Sequence, residues 1–566
     1  MRLRMILLIS LLALASLAGA AQRAGGRITG RIVSDDGQPL RGAMVHAIGL
    51  DVTGREGQAA RQSVAADEDG NFAIENLDAV PYLVSASMPG YVAAQSIGVD
   101  EPRYARVGES LTITLTRGGV ITGRVTNAAG EPVVRINIRA IPVRDEAGKP
   151  YNAPPAFQLM TSSTDDRGIY RIYGLPAGSY LVGTDGGRDF SIRATPFAGR
   201  ASTFYPSATR DTAVEVKVAR GGEAAGIDIR YRGEAGVSIS GKVAGLPPQP
   251  KSGIQMAGSQ ITLRDPASSV VLDATYLAPF SGETDGYAFH GVLNGEYELR
   301  ASWGGPGSEN LLVSPARRVI VKGQGLTGVD LALAPLASIA GTIAIESLPE
   351  GLKCEGARAF APEEIVLLAR RDESAEKAEP FSPIFDGARP VGVPDEKGAF
   401  RIRNLMPGRH RIEASLPDER WFLKAMTIAP PAPDPRNGIV VKTGERVAGL
   451  RLTIGAGAAA VRGKVEAAAG ARLPNRLRVH LLPAEADAKD DLLRYFETAA
   501  GADGVFSFAH LAPGRYLLLV RPAAVEPAPR DAAERARLRK EAEAANIPLD
   551  LKACQRVQSQ ISYRER

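Results

Sequence analysis

Apolar residues in this chain fall mostly two positions apart, in short runs bounded by Gly, Pro and Asp, and the runs recur. The clearest copy is Asp165-Asp166-Arg167-Gly168-Ile169-Tyr170-Arg171-Ile172-Tyr173-Gly174-Leu175-Pro176-Ala177-Gly178-Ser179-Tyr180. It reads as a Gly turn, an alternating strand, a Pro/Gly turn and an aromatic residue that opens the next strand. Twelve residues separate Gly168 from Tyr180, Gly70 from Tyr82, Gly398 from His410 and Gly504 from Tyr516. A further copy, Gly286 to Tyr297, is one residue tighter.

A second element precedes each copy: Ile28-Thr29-Gly30-Arg31-Ile32, Ile121-Thr122-Gly123-Arg124-Val125, Ile239-Ser240-Gly241-Lys242-Val243, Ile339-Ala340-Gly341-Thr342-Ile343 and Val461-Arg462-Gly463-Lys464-Val465. Each predicts a strand with one buried face, and the glycine in mid-strand predicts a bulge or a close backbone approach. A third element closes the units with period-2 alternation, as in Leu111–Leu115, Ile227–Ile229, Val329–Leu333 and Leu450–Ile454. With the hairpins between, the pattern predicts about seven strands per ~100 residues, the signature of an antiparallel Ig-like sandwich. The fold class expected is therefore all-β, with five tandem β-sandwiches over residues 26–116, 117–233, 234–334, 335–455 and 456–566.

Two stretches depart from this pattern. Residues 530–545, rich in Ala, Glu, Arg and Leu, predict one exposed helix inserted in the last unit, whose closing hairpin then follows. Insertions at 144–163, 246–258, 345–362 and 372–394 are expected as loops at one end of their sandwiches. At the N-terminus, Arg2 and Arg4 precede the apolar run Met5 to Leu17 and the small residues Ala18-Gly19-Ala20-Ala21. That order predicts a signal peptide, residues 1–20, cleaved after Ala20, and hence export to the periplasm, cell surface or medium. No later run approaches the ~18 apolar residues of a spanning helix, so no membrane insertion is expected after cleavage.

Charge adds little to this picture. The 68 Lys and Arg and 63 Asp and Glu leave a net +5 with both signs interspersed, and no basic stripe marks a nucleic-acid partner. Cys354 and Cys554 are the two cysteines. In an exported protein they could form one disulfide or stay as two buried thiols, and their spacing alone does not decide.

Tyr82, Tyr180, Tyr297 and Tyr516, with His410 in the fourth unit, stand where a sandwich places a tyrosine corner, a buried ring whose polar tip bonds nearby backbone. The Asp67/Gly70, Asp165/Gly168 and Asp395/Gly398 pairs read as turns, the carboxylate bonding amides two residues on and the glycine taking positive φ. The calcium alternative lacks the later bidentate Glu of a metal loop. Taken together, the G-[RK]-V element and the D-x-x-G-x-[FY] to P-G-x-Y element resemble the carboxypeptidase regulatory-like domain. Pro176-Ala177-Gly178-Ser179-Tyr180, Pro407-Gly408-Arg409-His410 and Pro513-Gly514-Arg515-Tyr516 carry the match. The resemblance implies a transthyretin- or prealbumin-like sandwich related to starch-binding-like folds, and it rests on structural residues.

In metallocarboxypeptidases that resemblance would bring a zinc enzyme whose ligands include His-x-x-Glu. None of His46, His290, His410, His480 and His510 begins that motif, so neither a metal nor a catalytic residue is expected. Gly236 to Val243 nearly spells a phosphate loop, and Gly323 to Gly328 fits G-x-G-x-x-G, but each belongs to a strand or turn rather than to a helix start. No G-x-S-x-G occurs. A binding surface is the function class left. Trp303, Trp421 and Tyr205 are the candidate ligand-contact aromatics, either as sugar platforms or as rings packed under loops. The expectation is an exported, non-enzymatic scaffold without cofactor, its partner an unknown protein or glycan at the cell envelope. The alternative is a carbohydrate-binding protein accessory to polysaccharide capture or degradation.

Overall fold

The structure, a computed structural model, describes residues 26–50, 61–93, 104–146, 148, 160–184, 197, 199–247, 259–266, 271–277, 285–304, 311–347, 354–355, 358–371, 390–429, 434–467, 473–474, 477–501, 503–522 and 532–563. The expected signal segment and most of the four insertions lie outside the described residues. Within them the chain forms five pairs of sheets, one pair per repeat.

Sandwich 1 shows the plan. One sheet runs Asn71–Leu77, Gly26–Ser34, Ser110–Arg117, Tyr91–Ala93; the other runs Arg61–Ala65, Met44–Gly49, Tyr82–Ser87, Tyr104–Ala105. Sandwich 4 repeats it with Ala399–Leu405, Ala337–Ile345, Arg446–Ala456, Trp421–Thr427 over Val391–Gly392, Val366–Arg371, Gly408–Ser415, Ile439–Val441. Alternate residues from both sheets turn inward, and each sandwich has its own apolar core, such as Ile339, Ile402, Leu450 and Leu452 in sandwich 4. The expected closing hairpin is not one. The last two strands lie in different sheets, and the closing strand pairs parallel to the opening strand of its own unit, Gly30 against Leu111 and Gly463 against Ser559. A strand that returns after the chain has crossed between sheets is free to run parallel, which a short hairpin forbids.

That parallel pair explains the repeated mid-strand glycine. A Cβ at Gly30, Gly123, Gly241, Gly341 or Gly463 would run into a carbonyl of the closing strand: Leu111, Ile227, Val329, Leu450 or Ser559. In four of the five an aromatic from the neighbouring strand also lies over the glycine, the rings of Phe72, Phe400 and Phe506 and the hydroxyl of Tyr170. Tyr170 and Tyr287 each donate their hydroxyl to the carbonyl in question, on Ile227 and Val329, at 2.6 and 2.5 Å.

The helix, Ala532–Ala545, is not a fully exposed insertion. It buries Leu538 and Ala542 against Leu482, Leu492, Tyr495 and Leu519, covering the outer face of one sheet of sandwich 5. It precedes the strand Pro548–Leu551, which pairs with Gly514–Pro522, and so lies between those strands rather than in a terminal hairpin. No helix among the described residues is long and apolar enough to cross a membrane.

The sandwiches are docked, and not only to their sequence neighbours. Arg106 of sandwich 1, 9% exposed, donates from Nε to the carbonyl of Glu364 and from Nη2 to that of Ser415, both at 3.0 Å, in sandwich 4. Beside it Tyr104, packed by Leu50, meets Val366 and Leu368 in an apolar contact between the same two sandwiches. Sandwiches 1 and 2 meet where Arg220 pairs with Asp35 at 3.7 Å and the Gly118 amide donates to the Gly90 carbonyl at 2.8 Å. Arg139 to the Leu272 carbonyl (2.5 Å) and Arg210 to Asp265 (2.5 Å) join sandwich 2 to 3, and Asn404 accepts from the Leu311 amide (3.2 Å) between 3 and 4. Sandwiches 4 and 5 share a disulfide between Cys354 and Cys554, Cα atoms 5.3 Å apart.

Candidate functional site

The five repeated aromatic positions form one geometry. Tyr180, Tyr297 and Tyr516 donate their hydroxyls to the carbonyls of Pro176, Leu293 and Ala512 at 2.6, 2.9 and 2.7 Å, each four residues back. Tyr82 engages the backbone of Asp78 at the same interval. His410 does it with imidazole, Nε2 lying 2.7 Å from the Met406 carbonyl, so the proton is on Nε2. Burial raises the pKa of Tyr82, Tyr297 and Tyr516 and lowers that of His410, which is 2% exposed. Burial thereby favours the neutral form of His410 as it does that of the tyrosines, and each group serves as a buried hydrogen-bond donor.

The Asp–x–x–Gly carboxylates are occupied by their own turns. Oδ1 of Asp67, Asp165 and Asp395 each accepts from the amides two and four residues on, at 2.7–3.0 Å. The following glycines take φ near 77°, and their carbonyls accept from the opening strand at Ile32, Val125 and Ile343. One oxygen of each carboxylate is thereby committed to closing its own turn.

The candidate ligand aromatics are not brought together. Trp421 is 3% exposed, stacked edge-on against Phe360 at 5.1 Å, and donates its indole N–H to the Arg358 carbonyl at 3.3 Å. The strand Trp421–Thr427 places this ring in the core of sandwich 4. Tyr205 packs against the core of sandwich 2 and precedes a cis bond to Pro206. Trp303 ends the strand Gly295–Trp303 half-buried, with its indole nitrogen covered and unbonded. The three rings belong to three different sandwiches.

One cleft of about 380 Å³ opens between sandwiches 4 and 5, lined by Lys424, Met426, Asp434, Arg436, Asp491 and Leu493. Its charges are already matched: Lys424 with Glu346 at 2.8 Å, Arg436 with Asp434 at 2.7 Å and with Asp491 at 3.5 Å. Nearby, Nδ1 of His510 lies 2.8 Å from the Trp421 carbonyl, and burial holds this imidazole below its ordinary pKa. Among the described residues no three His, Cys, Asp or Glu side chains gather as a metal site would require.

Two features escaped the sequence reading, and one of them had a local signal. The residue before the Leu or Val that ends each long strand is Asn76, Gly174, Gly291, Asn404 or His510, and all five have positive φ at a bulge in the register with the opening strand. Asn and Gly are the residues that tolerate this conformation, so their recurrence at one position could have located the bulge. The other feature, Arg106, carried no signal, since its partners lie far away in sequence.

The molecule defined by this geometry is a set of docked β-sandwiches with tyrosine corners. Residues 27–116, sandwich 1, match the family model of the carboxypeptidase regulatory-like domain. Sandwiches 2 to 5 repeat its opening and closing strands and its corner. Among solved structures the chain is similar to the TIE protein of Bacillus anthracis at 13% identity and TM-score 0.13, over 55% of this chain and about half (51%) of that one. It is also similar to GBS52, the minor pilin of Streptococcus agalactiae (14% identity, TM-score 0.20, 41% of this chain and 100% of that one). BcpA, the major pilin subunit of Bacillus cereus, aligns at 10% identity and TM-score 0.14 over 54% of this chain and 99% of that one. Likenesses this low carry no functional reading. No curated protein matches the sequence.

Proposed function

We propose that the chain is an exported, non-enzymatic scaffold that presents the loop ends of docked sandwiches to a protein partner at the cell envelope. The observation that carries this reading is the contact between sandwiches 1 and 4, where a buried Arg106 satisfies two carbonyls some 260 and 310 positions further along the chain. A chain of independent modules on flexible joints has no use for a buried guanidinium across such a gap. A body that must hold several surfaces in fixed relation does. The residues repeated in all five units are consumed by corners, turns and backbone packing, which leaves recognition to the parts that vary. Export is supported by the N-terminal pattern of Arg2, Arg4 and the Met5–Leu17 run, and by the Cys354–Cys554 disulfide, a bond that persists in oxidising compartments.

The test pairs two measurements on the chain lacking residues 1–20. Cross-linking in the native envelope, followed by identification of the captured protein, is expected to return one specific partner whose capture is lost when the loop ends are substituted. A glycan array is expected to stay blank. Glycan binding that disappears in Trp303→Ala would instead establish the carbohydrate-binding alternative and locate it. Trp421→Ala does not serve as a probe, since it removes a core ring of sandwich 4.

A further inference from the structure

Sandwiches 2 to 5 are each seated on the one before by the same joint. Three residues ahead of Ile121, Ile239, Ile339 and Val461, an amide donates back to the preceding sandwich. Gly118 donates to the Gly90 carbonyl at 2.8 Å, Gly236 to Gly199 at 3.4 Å, Leu336 to Leu311 at 3.4 Å and Ala458 to Arg420 at 2.8 Å. The positive-φ residue at the strand bulge completes the joint. A Cβ on Gly118 would meet the Gly174 backbone and one on Gly236 the Gly291 backbone, so both linkers lie directly on their bulges. Gly291 in turn leaves room for the Arg200 carbonyl, which a Cβ there would strike. Asn404 reaches back with its side chain, Oδ1 accepting from the Leu311 amide at 3.2 Å. His510 reaches the carbonyl of Trp421, which follows Arg420 as Arg200 follows Gly199. The bulge residue is therefore a contact between sandwiches as well as a kink within one.

Of Gly174, Gly291, Asn404 and His510, the last alone titrates. Its Nδ1–H donates to the Trp421 carbonyl at 2.8 Å, which leaves Nε2 to take a second proton. The ring is half-buried, and the charged groups that face it are Asp418 and Glu419 of sandwich 4 and Arg106 of sandwich 1. Both carboxylates are already engaged. Asp418 accepts from the Arg420 guanidinium at 3.1 Å and from the amides of Arg420 and Arg358 at 2.9 and 3.3 Å, and Glu419 meets Arg556 at 3.4 Å. Arg106 adds a fixed positive charge from the third side. Burial outweighs the bond to Trp421 and the two carboxylates, and with Arg106 it holds the imidazole below its ordinary pKa.

We infer that the joint between sandwiches 4 and 5 is an acid-operated latch, in which a proton taken up by His510 opens the contact while the other three joints stay shut. The charged ring is better solvated away from the joint than in it. Its pKa is lower in the closed form than in the open one, so opening is favoured as pH falls below the ordinary value of about 6.5. Glycine and asparagine at the other joints have no such response. The disulfide between Cys354 and Cys554 spans this same joint, and the Cys554 amide donates to the Gly457 carbonyl at 3.0 Å. An opened sandwich 5 thus stays tied to sandwich 4 and closes again when the proton leaves. The latch lies within the chain and does not depend on what the scaffold binds.

Hydrogen–deuterium exchange on the chain lacking residues 1–20, at pH 7.5 and pH 5.5 with the intrinsic amide rates divided out, tests this. The Gly457 and Ala458 amides, both bonded to the Arg420 carbonyl, are expected to lose protection about three- to tenfold in acid. About tenfold is what one proton supplies a pH unit below 6.5. Gly118 and Gly236, at the first two joints, are expected to keep their protection. So are Ile343 and Val465, whose amides bond Gly398 and Gly504 inside sandwiches 4 and 5 and report unfolding of either. His510→Asn installs the residue of the third joint, and His510→Gly that of the first two. In both variants protection at Gly457 and Ala458 is expected not to change with pH. Equal protection of the wild-type joint at the two pH values, a loss shared with Ile343 and Val465, or variants that respond to acid as the wild type does would overturn the inference.

Discussion

At the scale of single residues, the corner shows how one geometric need selects its side chains. Four units meet it with a phenol and one with an imidazole, each reaching backbone four residues back. Tyr180→Phe keeps the ring and removes the bond from a buried carbonyl on Pro176, so sandwich 2 should lose about 1 kcal/mol. Calorimetry of the variant would show it, and an unchanged transition would mean the hydroxyl carries no weight. His410 makes the corner of sandwich 4 sensitive to acid. Its folded pKa lies below the unfolded value because burial disfavours the imidazolium, so the unfolded chain takes up the proton first and stability falls as pH drops below about 6.5. His410→Tyr should leave melting at pH 7.5 little changed and flatten that acid loss. Equal slopes for both proteins between pH 7 and 5 would refute it. Cys554 is a second exception of this kind. It holds φ of 63° in the turn where sandwiches 1 and 4 place Gly108 and Gly444. An L side chain costs roughly 1 kcal/mol there, a cost offset by the bond to Cys354. Cys554→Gly should therefore be less stable than the wild type when oxidised and equal or more stable under reductant, as thermal melts with and without a thiol would report.

At the scale of elements, the opening and closing strands are the part of the fold that tolerates least. Gly341 lies under the Leu450 carbonyl and the Phe400 ring, and neither can retreat without breaking the parallel ladder. Gly341→Ala should cost sandwich 4 about 2–3 kcal/mol by overpacking, measured as the shift of its unfolding transition in denaturant. A shift no larger than that of an ordinary substitution on an exposed loop would show that the strands can part. This glycine also marks what the sequence made legible. Period-2 alternation, the Gly-to-Tyr interval and the Asp–x–x–Gly turns are local, and they announced an all-β chain of repeated strands and turns. The parallel partner of the opening strand was not legible, because it arrives some 80–110 residues later from the opposite sheet. The helix was placed correctly in sequence and wrongly in exposure. Its mostly charged surface hides the two residues, Leu538 and Ala542, that seat it.

At the scale of the whole molecule, a ring of contacts runs 1–2–3–4 and closes from 4 to 1, with sandwich 5 bonded to 4. None of the candidate aromatics foretold this, and Trp421, a platform by residue type, belongs to a core. What fixes the relation of the sandwiches is a small number of polar side chains reaching across junctions, and Arg106 is the most consequential. Its guanidinium is planar, always charged and forked, and it satisfies two carbonyls on sandwich 4 at 3.0 Å while Tyr104 fills the apolar gap alongside. Arg106→Lys keeps the charge but loses the rigid planar fork whose Nε and Nη2 are set at the two carbonyls, and Arg106→Glu sets a carboxylate against both. Hydrogen bonds from a charged donor contribute about 1.5–3 kcal/mol, so the lysine variant should loosen the closure and the glutamate variant abolish it. Small-angle scattering should then show a radius of gyration rising from wild type through lysine to glutamate, with sandwich 1 acquiring its own earlier step in the thermal unfolding profile. Three superimposable scattering curves would mean that sandwich 1 is held without Arg106, by Tyr104 and by its contacts with sandwich 2, and the case for a rigid scaffold would lose its main support.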